Sequence, residues 1–255
     1  MTGRYRWLGV EFVVIALGVL SALAVDTWID DRQQAQRWSE YRESLIADLG
    51  TDVENLSDRI EYFTFIQSAG IVVIEALEGR AEMTDAALLF AAFNAAEEWE
   101  FVEQSSTFLD MQNTGHLSLI RDLDLRLSLA RYYREMVPRQ NLWTLPDDYR
   151  SAARGIIPND FQQAVHELCT SILSPEAIGM KELWDIDWVS TEADTDCLGD
   201  LSRFDLTAAA IRLQEDARLV ELLRYRMSQT RVAVLLFKGQ HAAASRLRER
   251  LLVSE

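Results

Sequence analysis

Apolar residues run almost unbroken through residues 8–25 and then, from Trp38 to Ile66, recur at every third or fourth position. The unbroken run lies between Trp7 and Trp28, a stretch of 22 residues that would form about 33 Å of α-helix. That length crosses the hydrocarbon core of a bilayer, and indole rings favour the headgroup zone at its edges. The pattern predicts one transmembrane anchor over residues 1–29.

The recurring pattern that follows is typical of an amphipathic helix. Its apolar face consists of Trp38, Tyr41, Leu45, Leu49, Val53, Leu56, Ile60, Phe63 and Ile66. We expect the anchor to continue without a break into this juxtamembrane helix and to end at Leu77, with Gly50 as a weak point and Gly79 as the C-terminal cap.

The rest of the chain predicts further helices. In chain order they cover about 84–94, 96–112, a helical turn at 116–120, 122–136 before Pro138, one short helix within 138–158, a helix capped by Asn159 or Asp160 and ending near Leu173, and a final helix from Asp205 to about Phe237 with a break at Gly239. Asn113-Thr114-Gly115 is a turn signal, and residues 174–203 are the least regular stretch. No hairpin signal or sustained alternation occurs. The predicted fold class is all-α, with an irregular antiparallel helical bundle over residues 30–255.

A cleaved signal peptide is the alternative to a retained anchor. Arg4 and Arg6 fit a basic n-region, and Ala22-Leu23-Ala24 fits a cleavage site. Glu11 inside the run, and a run of 18 residues, favour retention.

The orientation of the anchor depends on its flanking charges. The nearby cations are Arg4, Arg6 and the amino terminus on one side and Arg32, Arg37 and Arg42 on the other. The first set lies closer to the membrane, and Asp26, Asp30 and Asp31 follow the span directly. We therefore expect a single pass through the inner (cytoplasmic) membrane, with the N-terminus cytoplasmic and residues 30–255 periplasmic or extracellular.

Three positions inside the run bear on helix packing. Gly18 and Ala22 form a small-xxx-small pair that permits close approach of two helices, so a homodimer is one hypothesis. Glu11 lies about one turn inside the membrane, where it either faces a membrane-protein partner or reaches the interface.

The charge composition limits the classes of partner that the protein is expected to bind. Acidic residues outnumber basic ones 41 to 25, for a net charge of −16. This surface repels nucleic acid and anionic headgroups and suits a cation or a basic partner. Outside the cytoplasm, the two cysteines, Cys169 and Cys197, could form a disulfide that stabilises the folded protein by about 3 kcal/mol. Inside the cytoplasm they would remain buried thiols.

Catalytic patterns are absent from the sequence: it holds no GxSxG, phosphate-binding glycine loop, HExxH or CxxC motif. The candidate zinc ligands are His166, Cys169, Cys197 and His241. They lack the paired spacing of zinc sites, so core packing and a disulfide are the favoured interpretation. No catalytic residue, cofactor or metal is assigned.

Two acidic stretches have plainer interpretations. The loop from Asp194 to Asp205 resembles a calcium loop but has poor residues at two liganding positions, so the acidic stretch 185–200 is interpreted as solvated. The second stretch comprises Glu97, Glu98, Glu100 and Glu103, which we interpret as a helix start, where acids favour the helix dipole.

Two blocks resemble a family of uncharacterised single-pass bacterial membrane proteins. The first comprises Glu11, Gly18, Ala22-Leu23 and Trp28, followed by acids. The second comprises Ser106-Thr107-Phe108, Met111, Thr114-Gly115, Leu117, Leu119-Ile120-Arg121-Asp122, Leu125-Arg126, Leu129 and Tyr132-Tyr133, and is similar to the family's central Thr-Gly-x-Leu-x-Leu-Ile-x-Asp-x-x-Leu-Arg segment. Val10 departs from the glycine usual in the family. The resemblance implies a helical domain of unknown function with no assigned enzyme activity.

The central block also has a physical interpretation. Thr114-Gly115 predicts a sharp turn, and Asp122 predicts a helix cap that pairs with Arg126. We favour a folding corner over a ligand-binding loop at Arg121 or Arg126. The expected function is a non-enzymatic binding or interaction module outside the cytoplasm. The alternative is an accessory subunit of a larger membrane complex that contacts its partners through the anchor.

Overall fold

The computed structural model describes residues 3–98, 104–140, 147–169 and 201–253, with side-chain surroundings for 16–98, 104–135, 147–167 and 201–253. These residues form helices and contain no strand, which confirms the all-α fold class. Within them, the helices are α1 Gly3–Leu77, α2 Asp85–Ala95, α3 Ser106–Asn113, α4 Leu123–Gln140, α5 Asp148–Ile156, α6 Asn159–Ala164, α7 Thr207–Glu215 and α8 Ala217–Val253. A 3₁₀ turn covers His116–Leu119, and a π-helical turn covers Val165–Cys169.

The α1 helix is continuous over 75 residues. It passes Gly50 without a break, so the apolar run and the juxtamembrane helix are one element, as expected. Gly79 ends it in the left-handed region, with φ of 72°. The backbone N–H of Gly79 donates to Ala76 and that of Arg80 donates to Glu75, which is the Schellman pattern. The predicted C-terminal cap is thereby confirmed.

The chain divides into two compact units. Unit 1 comprises residues 1–51, 104–133 and 246–255, and unit 2 comprises residues 52–103 and 134–245. Helices α1, α4 and α8 each contribute residues to both units.

Unit 1 has a core of aliphatic and aromatic side chains. Its buried members include Leu45, Leu49, Phe108, Met111, Ile120, Leu125, Leu129, Leu247 and Leu251. Phe108 stacks on Tyr133 with ring centroids 4.6 Å apart. Leu45 and Leu49 belong to the face that the sequence predicts for α1.

Unit 2 is organised around α2, whose residues 86 and 88–95 are all buried. A helix that is apolar all round must be covered on every side, and α2 has this character. Thr84 caps it as predicted, since its side chain accepts from the N–H of Ala87 at 3.2 Å. Elsewhere in unit 2, a Cβ atom on Gly70 would overlap the side chain of Met227. Glycine at this position therefore lets α8 pass close to α1.

The predicted helix over 96–112 is wrong at its start. Residues 96–98 and 104–105 are not helical, and α3 begins at Ser106. Glu97 and Glu98 follow the end of α2 instead of starting a helix, because arginines from distant helices bind them. Glu100 and Glu103 lie outside the described residues.

Two further helix ends differ from the predictions. The α4 helix continues through Pro138 to Gln140, because a proline in a last turn removes only one hydrogen bond. The α6 helix begins after Pro158 with no side-chain cap, so neither Asn159 nor Asp160 caps it. Its predicted end near residue 173 lies outside the described residues.

The final helical region breaks at a different residue from the one predicted. The break lies at Asp216, between α7 and α8, and α8 then passes Gly239 without interruption to Val253. Asp216 starts the new helix, since its carboxylate accepts from the N–H of Arg218 at 3.0 Å. One glycine costs a helix only about 1 kcal/mol, which the packing of the inner face of α8 offsets.

Candidate functional site

The first candidate site is the apolar segment of α1, residues 17–29. Its exposed large side chains are Leu17, Val19, Leu20, Leu23, Val25, Trp28 and Ile29, between 41% and 62% exposed. Among the described residues, α1 is the one helix long and apolar enough to cross a membrane. A signal sequence near the N-terminus, or the core helix of a soluble protein, would pass the same test of length and composition.

The predicted anchor residues lie on this segment. Gly18 and Ala22 are one turn apart on the same side of α1, and no atom lies within 4 Å of a Cβ placed on Gly18. Trp28 is 60% exposed, and the guanidinium carbon of Arg32 lies 5.4 Å from its ring centroid. Glu11 belongs to the helical backbone of α1, while its side chain lies outside the described part.

The second candidate site is the central corner, which follows α3 in unit 1. Gly115 has φ of 77°, so the turn uses the backbone freedom of glycine, as predicted. Thr114 donates from Oγ1 to the carbonyl of Asp110 at 2.7 Å and so closes the end of α3. Ile120 is fully buried, whereas Leu117 and Leu119 are half-buried. The corner is held to the core of unit 1 chiefly by Ile120.

A hydrogen-bond network joins this corner to α1. Tyr41 donates to Oδ2 of Asp110 at 2.7 Å, and its oxygen lies 2.9 Å from Nδ1 of His116. Oγ1 of Thr114 lies 2.9 Å from the same nitrogen. Since both hydroxyl protons are already donated elsewhere, Nδ1 of His116 carries the proton that the two oxygens accept.

Asp122 caps α4 as predicted but has a different ionic partner. Its Oδ1 accepts from the N–H of Leu125 at 3.1 Å, and its Oδ2 lies 2.9 Å from Arg250. These contacts lower the pKa of Asp122, the Leu125 hydrogen bond most of all. Among the described residues no ion pair joins Asp122 to Arg126, so that predicted pair is wrong. Arg121 is exposed and Arg126 is half-buried.

A third site, which the sequence did not indicate, lies at the C-terminal end of α2 in unit 2. Arg150, Arg154 and Arg226 donate hydrogen bonds of 2.5–3.4 Å to the carbonyl groups of Phe93, Ala95, Ala96 and Glu97. The ion pairs of this arginine cluster are Arg154–Glu97, Arg226–Asp147, Arg226–Glu98 and Arg150–Glu98. Guanidinium groups here donate to carbonyls in the last turn of α2, Phe93 and Ala95, and to the two carbonyls that follow it, a region where a helix end leaves acceptors without intrahelical partners.

Among the described residues the arginine cluster has balanced charge, with three cations and three carboxylates. Burial lowers the pKa of Arg226, and the neighbouring carboxylates oppose that shift. Tyr149 lies in the same unit, donates to the carbonyl of Ala92 at 3.2 Å, and has its pKa raised by burial. A cluster in which each cation has a carboxylate partner stabilises structure and leaves little charge for a ligand.

The sequence contains one signal for this cluster. Arg226 stands between Leu223 and Thr230 on the inner face of α8, and a charged residue at such a position must find buried partners. The identity of those partners, Glu98 and Asp147, depends on the tertiary fold.

The remaining chemistry-bearing residues form no further site in the described part. One open pocket of about 550 Å³ in unit 2 is lined by α5–α7 residues, including Arg154, Gln162 and Arg212.

No group of three or more metal-binding side chains occurs within the described ranges. The rings of His166 and Phe93 pack in a T-shaped arrangement, with centroids 5.1 Å apart. The side chain of Cys169, all of Cys197 and the acidic stretch 185–200 lie outside the described residues.

Comparisons of the chain with family models, curated proteins and solved structures find no match. The resemblance carried by the anchor and the central block stays a prediction.

Proposed function

We propose that the protein is a single-pass membrane protein in which α1 anchors a helical interaction module outside the cytoplasm. The observation that carries the proposal is the row of exposed apolar side chains over residues 17–29, whose last two members are Trp28 and Ile29. A bilayer covers such a surface on all sides, as a protein groove would not.

The continuity of α1 supports the tethering role. The helix leaves the apolar segment and first buries a side chain at Leu45, where it enters the core of unit 1. An unbroken helix transmits position and orientation from the membrane to the folded part, whereas a flexible linker would not.

The charged groups favour an interaction module over an enzyme. The arginine cluster pairs its cations with carboxylates, and Asp122 pairs with Arg250. These charged side chains therefore contact one another within the folded protein. A helical domain of unknown function is also what the resemblance to the uncharacterised bacterial family implies.

Membrane fractionation tests the anchor. Full-length protein should stay in the membrane pellet through alkaline carbonate extraction, and its intact mass should match the 29.1 kDa chain. A mass lower by residues 1–24 would show a cleaved signal peptide, and release by carbonate would show a peripheral protein. The matched variants are Leu20→Arg in the apolar segment, which should reduce retention, and Leu235→Arg on α8, which should not.

Protease added from the periplasmic side tests the orientation. With the N-terminus cytoplasmic, the protease should reach residues 30–255 without membrane disruption. Protection of these residues until lysis would reverse the proposed topology. Thiol titration adds an independent readout, because Cys169 and Cys197 should be oxidised only outside the cytoplasm.

An accessory subunit of a membrane complex is the second candidate. It is favoured by Glu11, a carboxyl group placed within an apolar helix segment. Purification in mild detergent should then yield a stoichiometric partner that Glu11→Gln releases. A pure single species with wild-type Glu11 would exclude it.

A further inference from the structure

The α8 helix carries apolar side chains on two opposite faces within unit 2. Its inner face packs into the core through Leu219, Leu223, Met227, Ala233, Val234 and Phe237. On the outer face Tyr225, Val232 and Leu235 are 65%, 52% and 63% exposed. A surface helix ordinarily carries polar residues on that side, so this outer row requires a separate explanation.

The outer row has the spacing of a coiled-coil seam. Tyr225, Ser228, Val232, Leu235 and Gly239 follow one another at steps of four and three and are all exposed. These are successive a and d positions of a heptad. No atom lies within 4 Å of a Cβ placed on Gly239. The outer seam, residues 225–239, is thus a narrow apolar row with small residues between large ones, and its small residues leave space between the large side chains.

One side of the outer seam is cationic. Arg224, Arg231 and Lys238 are seven residues apart and occupy the g positions beside it. Arg224 pairs with Glu78 yet its side chain stays 57% exposed. The sequence has no acidic residue between Glu221 and Glu249, although the whole chain has a net charge of −16. The seam is therefore a basic surface on an acidic protein.

We propose that the outer seam binds an amphipathic helix of a partner protein that carries acidic residues beside its own apolar row. The cations at the g positions favour an acidic partner helix, because residues at e and g flank the contact between two helices and determine which partner binds. Two antiparallel copies of the seam would set Arg224, Arg231 and Lys238 against the same cations. Two parallel copies would set them against uncharged Gln229 and Leu236. A bilayer surface needs a wide apolar face, and the seam is one side chain wide.

The proposal rests on the role as an interaction module, and a binding assay on the full-length protein in detergent micelles tests it. The probes are two fluorescent three-heptad peptides with Leu at a and d, one with Glu and one with Lys at e and g. Fluorescence anisotropy should show the Glu peptide binding more tightly by about tenfold or more, with an advantage that shrinks as salt is added. Equal binding of both peptides, or no binding of either, overturns the proposal.

Matched variants assign the binding to the seam. Leu235→Ser should weaken binding of the Glu peptide by about tenfold, while Ile211→Ser, at a similarly exposed apolar residue on α7, should leave it unchanged. Arg231→Glu should reduce the preference for the Glu peptide.

Two competing occupants are measured in the same preparation. A dimer in sedimentation that Leu235→Ser dissociates would identify a second copy as the occupant. Anionic vesicles that displace the Glu peptide would identify a lipid surface. Either result overturns the proposal while leaving the carbonate test of the anchor unaffected.

Discussion

At the scale of the residue, Arg226 shows how a buried cation stabilises unit 2. Its guanidinium binds the carbonyls of Ala95 and Glu97 and pairs with Asp147. Arg226→Met should lower the free energy of unfolding by about 3–5 kcal/mol, because it removes the ion-pair partner of Asp147 and leaves two carbonyls without their guanidinium donor. Urea unfolding measures the loss. Arg231→Met, on the exposed face of α8, should change stability by no more than about 0.5 kcal/mol; equal losses would contradict the assignment.

The buried tyrosines predict an alkaline limit to stability. Burial raises the pKa of Tyr62 and Tyr149 above the ordinary value, so the unfolded chain loses these protons first as pH rises through about 10. Stability is therefore complete below that pH and falls above it, by about 1.4 kcal/mol per pH unit for each tyrosine. Tyr149→Phe should make the fall shallower in urea titrations between pH 9 and 11, with Tyr225→Phe as the exposed control. An unchanged slope in Tyr149→Phe would refute this cause.

At the scale of the element, replacing either of two helix glycines with alanine should change the stability of the protein in opposite directions. Gly79 has φ of 72° at the end of α1, and Gly239 lies inside α8 with no positive φ. Gly79→Ala should destabilise the protein by about 1 kcal/mol, because alanine strains the left-handed region. Gly239→Ala should stabilise it by about 0.5–1 kcal/mol, because alanine restricts the unfolded chain. Urea midpoints that move in the same direction for both variants would contradict this interpretation.

Local signals in the sequence predicted the elements whose ends are locally determined. Gly79 ends α1, Thr84 starts α2, and Asp122 starts α4, each through a contact within a few residues. The region after α2 could not be predicted in this way. Glu97 is bound there by Arg154, 57 residues further along the chain, and such a contact exists only in the folded molecule.

The candidate sites show the same difference between features that depend on local sequence and features that depend on tertiary contacts. The exposed apolar segment and the Thr114-Gly115 turn were predicted, because hydropathy and glycine conformation are local properties. The pairing of Asp122 with Arg250, 128 residues away, and the contact of Tyr41 with His116 were missed, because they depend on which helices become neighbours. The break at Asp216 differs from the predicted break at Gly239, because the helical packing of α8 tolerates a glycine whereas the Asp216 carboxylate binds the N–H of Arg218 at the start of a new helix.

At the scale of the whole molecule, α1 has two kinds of surface along one helix. Over residues 17–29 its large apolar side chains are exposed, whereas the first buried side chains after this segment, Leu45 and Leu49, belong to the core of unit 1. Removal of residues 1–29 should therefore abolish membrane association and leave the urea unfolding midpoint unchanged, since the large apolar side chains of residues 17–29 are exposed and lie outside the buried core. Both chains are measured in the same detergent buffer, so that detergent affects them equally.

Leu49→Ala in the full-length chain provides the control for this last prediction. Leu49 is fully buried in unit 1, so its truncation should cost about 2–5 kcal/mol. A midpoint lowered by Leu49→Ala and unchanged by removal of residues 1–29 would place the anchor outside the folding unit. A lower midpoint for the shortened chain would mean that residues 1–29 pack against the rest of the protein. The apolar segment would then be a part of the core that the bilayer does not cover.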